Sequence, residues 1–122
     1  MRVLICGSRY WDDYETIERV LRELHQSAGV ELVIHGGARG ADTLGGRAAG
    51  ALNIPVRVYP ALWSQYGRSA GIRRNEQMLR EGRPDRILAF HADIAQSRGT
   101  KHMIAIAEAA NVYVNLVSSG AT

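Results

Sequence analysis

The regular alternation of short apolar runs with helix-like segments is the feature that most restricts how this chain can fold. Each apolar run is short enough to be one buried strand, and each is followed by a segment with helical spacing or many small residues. Parallel strands need such crossover connections, which lie on the faces of the sheet and are right-handed. The pattern therefore predicts one parallel sheet with helices on both sides.

This alternation places five strands and four helices along the chain. The strands are expected at residues 2–8, 31–37, 55–61, 85–90 and 112–117. The helices are expected at residues 12–29, near 41–52, at 71–82 and at 99–111. In the first helix, Ile17, Leu21 and Leu24 share one face, and Gly29 marks the end. No linker or repeat interrupts the series, so we expect one domain at 1–117 and a short C-terminal tail at 118–122.

Composition restricts the class of protein. With 122 residues, of which 46% are hydrophobic, the chain suffices for one domain with a real core. No apolar run approaches the ~20 residues that a membrane-spanning helix needs, and the first residues lack the regions of a signal peptide. We therefore expect a cytoplasmic protein with no membrane partner. Cys6, the single cysteine, lies in an apolar run, where we expect a buried, inert thiol.

The basic residues are almost all arginine. Lys101 is the only lysine, and the formal net charge is +3. The planar guanidinium of arginine can bind phosphate or carboxylate through two parallel hydrogen bonds. A phosphate-bearing partner is therefore favoured, although codon composition would produce the same enrichment.

The segment HGGARGAD, residues 35–42 and called the glycine loop below, lies between a predicted strand and a predicted helix. Gly7 and Gly99 fall at other strand-to-helix turns, and ligands of parallel sheets bind beyond the carboxyl ends of the strands. Glycine lets backbone amides approach an anion, and the N-terminus of a helix favours phosphate. We predict an anion-binding nest in the glycine loop. The alternative is that its glycines only permit tight turns and close packing.

Two common nucleotide-binding motifs do not match. The stretch GSRYWD lacks the three spaced glycines of a dinucleotide fingerprint, and the lysine and hydroxyl residue of a P-loop are missing. The histidines lack acidic or thiol partners at helical spacing, so we expect no metal site, and we expect no cofactor.

Three aromatic residues, Trp11, Trp63 and Tyr66, fall in strand-exit loops. Each either stacks on a base or packs a loop onto the domain.

Four ordered motifs resemble a known superfamily. GSR at 7–9 and GGARGAD at 36–42 resemble the Rossmann-like core of the DNA-processing protein DprA. Residues 63–78 and 90–103 are similar to the YspA-like branch of the SLOG superfamily, which also includes the LOG-type phosphoribohydrolases. The resemblance implies a single Rossmann-like three-layer α/β/α sandwich with a mainly parallel five-stranded sheet. It also implies that the glycine-rich loops bind a nucleotide or a nucleotide-derived ligand.

The same resemblance implies which residues bind the ligand. The first two motifs contribute Gly7, Ser8, Arg9, Gly36, Gly37, Arg39, Gly40 and Asp42, and the last two contribute Arg74, Asn75, Ser97, Gly99 and Thr100. Of these, Arg39 and Arg74 are expected to bind phosphate. Asp42 is expected either to bond ribose hydroxyls or to cap its helix.

One position departs from the LOG-type motif PGGxGTxxE. Gly99 and Thr100 match its glycine and threonine, but Met103 stands where the enzymes have glutamate. Methionine cannot relay a proton or stabilise an oxocarbenium-like transition state. The resemblance therefore supports binding better than it supports hydrolysis.

Three functions remain open at this point. The favoured one is a binding module for a nucleotide-derived small molecule, acting as a sensor or accessory factor. The second is a nucleoside monophosphate phosphoribohydrolase whose acid is Glu76 or Asp42. The third is DprA-like binding of nucleic acid, which is less favoured because a net charge of +3 offers few phosphate contacts. Related domains often dimerise through helices, so the resemblance leaves a homo-oligomer open.

Overall fold

A computed structural model describes residues 1–94 and 97–118, and it confirms the α/β fold. The strands are β1 (Arg2–Gly7), β2 (Leu32–His35), β3 (Val56–Val58), β4 (Arg86–Phe90) and β5 (Tyr113–Val117). The helices are α1 (Tyr14–Ala28), α2 (Ala41–Ala51), α3 (Trp63–Tyr66), α4 (Ala70–Gly82) and α5 (Arg98–Ala109), with a 3₁₀ turn at Gly67–Ser69. Residues 119–122 of the predicted tail lie outside the described residues.

The five strands form one sheet in the order β3-β2-β1-β4-β5, and every neighbouring pair is parallel. The chain moves from β1 to β2 and β3 on one side, then crosses to β4 and β5 on the other. The order of the strands therefore reverses between β1 and β4. In open parallel sheets, a crevice forms at the carboxyl ends of the two strands that flank such a reversal.

Alternating side chains of the central strands point to two separate apolar layers. On one face, Val3 and Ile5 of β1 belong to a buried cluster that also includes Ile17 and Leu21 of α1. On the other face, Leu4 and Cys6 of β1 join a buried cluster with residues of α4 and α5, namely Met78, Met103 and Ala107. The two-residue period of the strand thus supplies both halves of the core, as a three-layer sandwich requires.

Local signals explain where α1 begins and ends. The side chain of Asp13 accepts a hydrogen bond from the Thr16 amide at 3.1 Å, which caps the first turn. The amide of Gly29 closes the last turn on the His25 carbonyl. Within the described ranges, no helix combines the length and the apolar character that crossing a membrane requires.

Candidate functional site

A cavity of about 410 Å³, called the main cavity below, lies where the strand order reverses. Cys6 and Gly7 at the end of β1 line it, as does His91, which directly follows β4. The other walls come from the loop after β1, from α4 and from the start of α5. Most of the residues singled out in the sequence lie here, namely Gly7, Ser8, Arg9, Asp42, Arg74, Asn75, Ser97, Gly99 and Thr100. Their role in binding stays a prediction.

The guanidinium of Arg74 is fixed in place by the glycine loop. Its Nη1 donates a hydrogen bond to the carbonyl oxygen of Gly36 at 2.7 Å, and its Nε donates to Oδ1 of Asn75 at 3.1 Å. Any Cβ at Gly36 would overlap Nη1 of Arg74. The absence of a Cβ at position 36 therefore leaves room for the arginine of α4 to pack directly on the backbone of the glycine loop.

Asn75 joins α4 to the first turn of α5. The residue is only 6% exposed, and its Nδ2 lies 3.2 Å from the Gly99 carbonyl oxygen and 3.2 Å from Nδ1 of His102. The Arg74 guanidinium donates to the same amide's oxygen. A chain of hydrogen bonds therefore runs from the glycine loop through Arg74 and Asn75 to the start of α5.

The N-terminus of α5 opens into the main cavity. Ser97 caps this helix, because its Oγ accepts a hydrogen bond from the Thr100 amide at 3.1 Å. Arg98 and Gly99 line the cavity in the first turn, and a Cβ at Gly99 would meet no neighbouring atom within 4 Å. The positive end of the helix dipole and an arginine thus face the same space.

The amides of the glycine loop are bonded within the protein. Oδ2 of Asp42 accepts hydrogen bonds from the Gly36 amide at 2.9 Å and from the Ala38 amide at 3.3 Å. The Gly37 amide donates to Nδ1 of His35 at 2.9 Å. These three amides are thus engaged within the protein, and their part in an anion-binding nest stays a prediction that would require these bonds to be exchanged. Asp42 does not bond the first-turn amides of α2 but holds the loop before that helix.

Gly40 allows the glycine loop to approach the loop after β1 closely. Its φ is +72°, and a Cβ there would overlap the carbonyl oxygen of Ser8 and backbone atoms of Arg9. That Ser8 carbonyl accepts a hydrogen bond from the Ala41 amide at 3.0 Å, in the first turn of α2. The start of α2 is therefore occupied by the loop after β1. Gly40 does not line the main cavity.

Burial controls the protonation of two groups beside the main cavity. It raises the pKa of Asp42 from 3.8 to about 6, and this change is opposed by the Ala38 amide, the Arg74 charge and the Gly36 amide. Burial, followed by the nearby carboxylate of Asp42, raises the pKa of Cys6 far above its usual value. Cys6 is therefore a protonated, weakly reactive thiol, in agreement with the sequence.

A second cavity of about 470 Å³ adjoins the main cavity. Arg9, Ala38 and Arg74 line both, so they form a shared wall. The remaining lining of this second cavity comprises Gly36, Gly37, Arg39, Pro60, Ala61 and Trp63. The predicted binding residues of the glycine loop are thus divided. Asp42 lies in the main cavity, whereas Gly36, Gly37 and Arg39 lie in the second.

Two other residues considered from the sequence lie away from these cavities. Trp11 is 7% exposed and packs on Phe90 with the ring centroids 5.6 Å apart, so its predicted alternative as a loop-packing residue is correct. Glu76 lines a different cavity with Tyr66 and Arg73. Of the two carboxylates considered as acids, only Asp42 lines the main cavity.

Three residues that sequence reasoning did not assign also line the main cavity, namely Tyr10, His91 and Arg98. Tyr10 directly follows GSR, whereas His91 and Arg98 lie within the motif at residues 90–103, directly after β4 and directly before Gly99. Their position within or next to the motifs was the available signal.

Comparison with known proteins gives two matches. The model of the YspA, cpYpsA-related SLOG family matches residues 1–66. The Gene 61 protein of Mycobacterium phage D29 is 40% identical over 119 residues, which cover 93% of each chain. No solved structure matches significantly.

Proposed function

The chain belongs to the YspA, cpYpsA-related SLOG family, and from this premise we propose that its main cavity binds a nucleotide or a nucleotide-derived phosphate. The protein would act as a binding module, in the manner of a sensor or an accessory factor. One observation carries the proposal: Arg9, Arg74 and Arg98 surround a cavity that lies where the strand order reverses and the N-terminus of α5 opens.

The charges around the main cavity favour an anion. Among the residues that the structure describes, three arginines line it against one carboxyl group, that of Asp42, whose pKa burial raises to about 6. Arginine and a helix N-terminus are both well suited to phosphate. Ser8, Asn75 and Thr100 add polar groups that fit the hydroxyls of a sugar.

Met103 favours binding over hydrolysis. Its side chain is 1% exposed and contributes to the wall of the main cavity, at the position where the LOG-type motif has glutamate. A thioether offers no proton and no negative charge to a breaking glycosidic bond. The proposed phosphate site thus lacks the carboxylate that this motif supplies.

The proposal can be tested by thermal shift and calorimetry with AMP, ADP and ribose 5-phosphate. We expect at least one of these compounds to raise the melting temperature, because a ligand that binds only the folded state stabilises it. Arg74→Ala should weaken binding 10-fold or more, since a charge-assisted hydrogen bond contributes about 1.5–3 kcal/mol. Arg22→Ala is the matched control, because Arg22 lies on α1 and pairs with Glu18 there.

Two results would refute the proposal. One is that no phosphate compound stabilises the fold or binds in calorimetry. The other is that Arg22→Ala weakens binding as much as Arg74→Ala does, because the attraction would then be a diffuse effect of net charge. Mass spectrometry of the natively purified protein would identify a retained ligand directly.

One observation favours a second candidate function, N-glycosidic hydrolysis of a nucleoside monophosphate. Asp42 is a buried carboxyl in the main cavity, and its pKa of about 6 suits a general acid near neutral pH. Incubation with AMP, CMP and GMP, followed by quantification of free base, tests this candidate. Multiple turnovers that are lost in Asp42→Asn would establish hydrolysis, and an absence of released base would exclude it for these substrates.

A further inference from the structure

We propose that the second cavity is a base-binding subsite in which Trp63 stacks on the planar base of a ligand whose phosphate lies beside Arg74. This inference rests on the proposed function, because it assumes a nucleotide-like ligand. It specifies that the ligand carries a heteroaromatic ring, and it orients the ligand with this ring in the second cavity and the phosphate at the wall shared with the main cavity.

Trp63 has the placement of a stacking platform. Its side chain is 58% exposed, which is unusual for so large an apolar group, and it lines the second cavity. A Cβ at Gly71, in the first turn of α4, would lie 3.5 Å from Cη2 of Trp63, so one edge of the indole rests near that helix. The ring is thus supported at an edge while much of its surface stays accessible to a ligand.

The neighbouring aromatic ring of α3 is occupied by a cation. The guanidinium of Arg73 lies 4.3 Å from the ring centroid of Tyr66. Across the described residues, the rings that carry such a cation belong to Tyr14, Tyr66 and Tyr113, and the indole of Trp63 is not among them. Of the two aromatic residues in α3, Trp63 is therefore the one available to a base.

The shared wall of the two cavities fixes where the phosphate lies. Arg9 and Arg74 line both cavities, and Arg74 is held against the Gly36 carbonyl at 2.7 Å. Arg39 adds a third cation to the second cavity, and none of the described residues that line this cavity is acidic. A phosphate at the wall would meet two arginines, with the base on Trp63 on one side and the main cavity on the other.

The test compares a ligand that has a base with ligands that lack one. ADP, ribose 5-phosphate and pyrophosphate are titrated by calorimetry into the wild type, Trp63→Ala, Trp63→Phe and Tyr66→Ala. We expect Trp63→Ala to weaken ADP binding about 10-fold, in line with the cost of removing a stacked aromatic ring, and Trp63→Phe to recover most of it. The affinities for ribose 5-phosphate and pyrophosphate should change less than 2-fold. Tyr66→Ala is the matched control and should bind ADP as the wild type does.

Tryptophan fluorescence gives a second readout. Trp63 is exposed whereas Trp11 is buried, so ADP should quench the emission of the wild type but not that of Trp63→Phe. The inference is overturned if ADP binds with the same affinity to the wild type and Trp63→Ala, or if only base-free phosphates bind. In either case, binding of ADP or of ribose 5-phosphate to the wild type would leave the proposed function intact, whereas binding of pyrophosphate alone would count against both proposals. If none of the three compounds binds the wild type, the proposed function itself fails.

Discussion

Asp42 gives a prediction whose sign and size follow from its surroundings. Asp42→Asn keeps the shape of the side chain and an oxygen that can accept from the Gly36 and Ala38 amides, but it removes the ionisable group. Burial raises the pKa of Asp42 from 3.8 to about 6. Because one pKa unit corresponds to about 1.4 kcal/mol, the ionised carboxylate costs the folded state about 3 kcal/mol relative to the unfolded chain.

The sign follows from proton binding. Between about pH 4 and pH 6 the folded state holds the Asp42 proton more tightly than the unfolded chain does. The contribution of this group to the free energy of unfolding is therefore fully present below pH 3.8 and is lost as the pH rises through about 6. Asp42→Asn has no ionisable group at this position, so its free energy of unfolding does not decrease in this way as the pH rises. The free energy of unfolding of the variant should thus gain about 2–2.5 kcal/mol on that of the wild type between pH 4 and pH 7, most of the full ~3 kcal/mol.

Urea unfolding followed by circular dichroism at pH 4, 5, 6 and 7, at constant ionic strength, measures this difference. Asp42→Ala is the matched control, because it also lacks the charge but leaves the Gly36 and Ala38 amides without their acceptor. It should show the same pH dependence as Asp42→Asn while being less stable by about 1–3 kcal/mol at every pH. Parallel pH profiles for the wild type and Asp42→Asn would refute the reasoning.

Three glycine substitutions separate the fold from the site. Gly40→Ala should lower the free energy of unfolding by about 1–3 kcal/mol, because φ is +72° and the new Cβ overlaps the Ser8 carbonyl. Gly50→Ala should raise the free energy of unfolding by about 0.5–1 kcal/mol, because its Cβ lies in open space on α2. Equal urea midpoints for the two variants would contradict this. Gly36→Ala should displace the flexible Arg74 side chain, retain the fold and weaken phosphate binding as much as Arg74→Ala does. If calorimetry shows that Gly36→Ala binds phosphate compounds with wild-type affinity, the contact between Gly36 and Arg74 does not affect binding.

The strands and the long helices could be predicted because short apolar runs alternate with segments that have helical spacing or many small residues. The expected strand at 85–90 is observed at Arg86–Phe90, and the expected helix at 71–82 is observed at Ala70–Gly82. The sequence places Trp63 and Tyr66 in a strand-exit loop, whereas the structure has the short helix α3 there. Four residues are too few to show a helical period. Its position nevertheless places Trp63 at the second cavity.

The glycine loop marks the limit of sequence reasoning about the site. Its composition correctly indicates close approach, by the backbone of Ser8 and Arg9 at Gly40 and by the Arg74 side chain at Gly36. It does not indicate which groups accept hydrogen bonds from the amides of this segment, because Asp42 and the Ser8 carbonyl reach the Gly36 and Ala41 amides only through the tertiary fold. A loop rich in glycine is therefore evidence of close approach, and the approaching group can be a side chain of the protein as well as an anion.

The hydrogen bonds within the glycine loop have a consequence for how a ligand is recognised. Since the Gly36 and Ala38 amides are bonded to Asp42, an anion in this arrangement has to be held by other groups. The arginines and the first turn of α5 line the main cavity and are available for this. Arg74 is already fixed by Gly36 and Asn75, so little side-chain entropy remains to be lost when it meets a phosphate. If the proposed phosphate binding holds, the glycine loop would contribute to affinity indirectly, by holding the Arg74 guanidinium in position before the ligand binds.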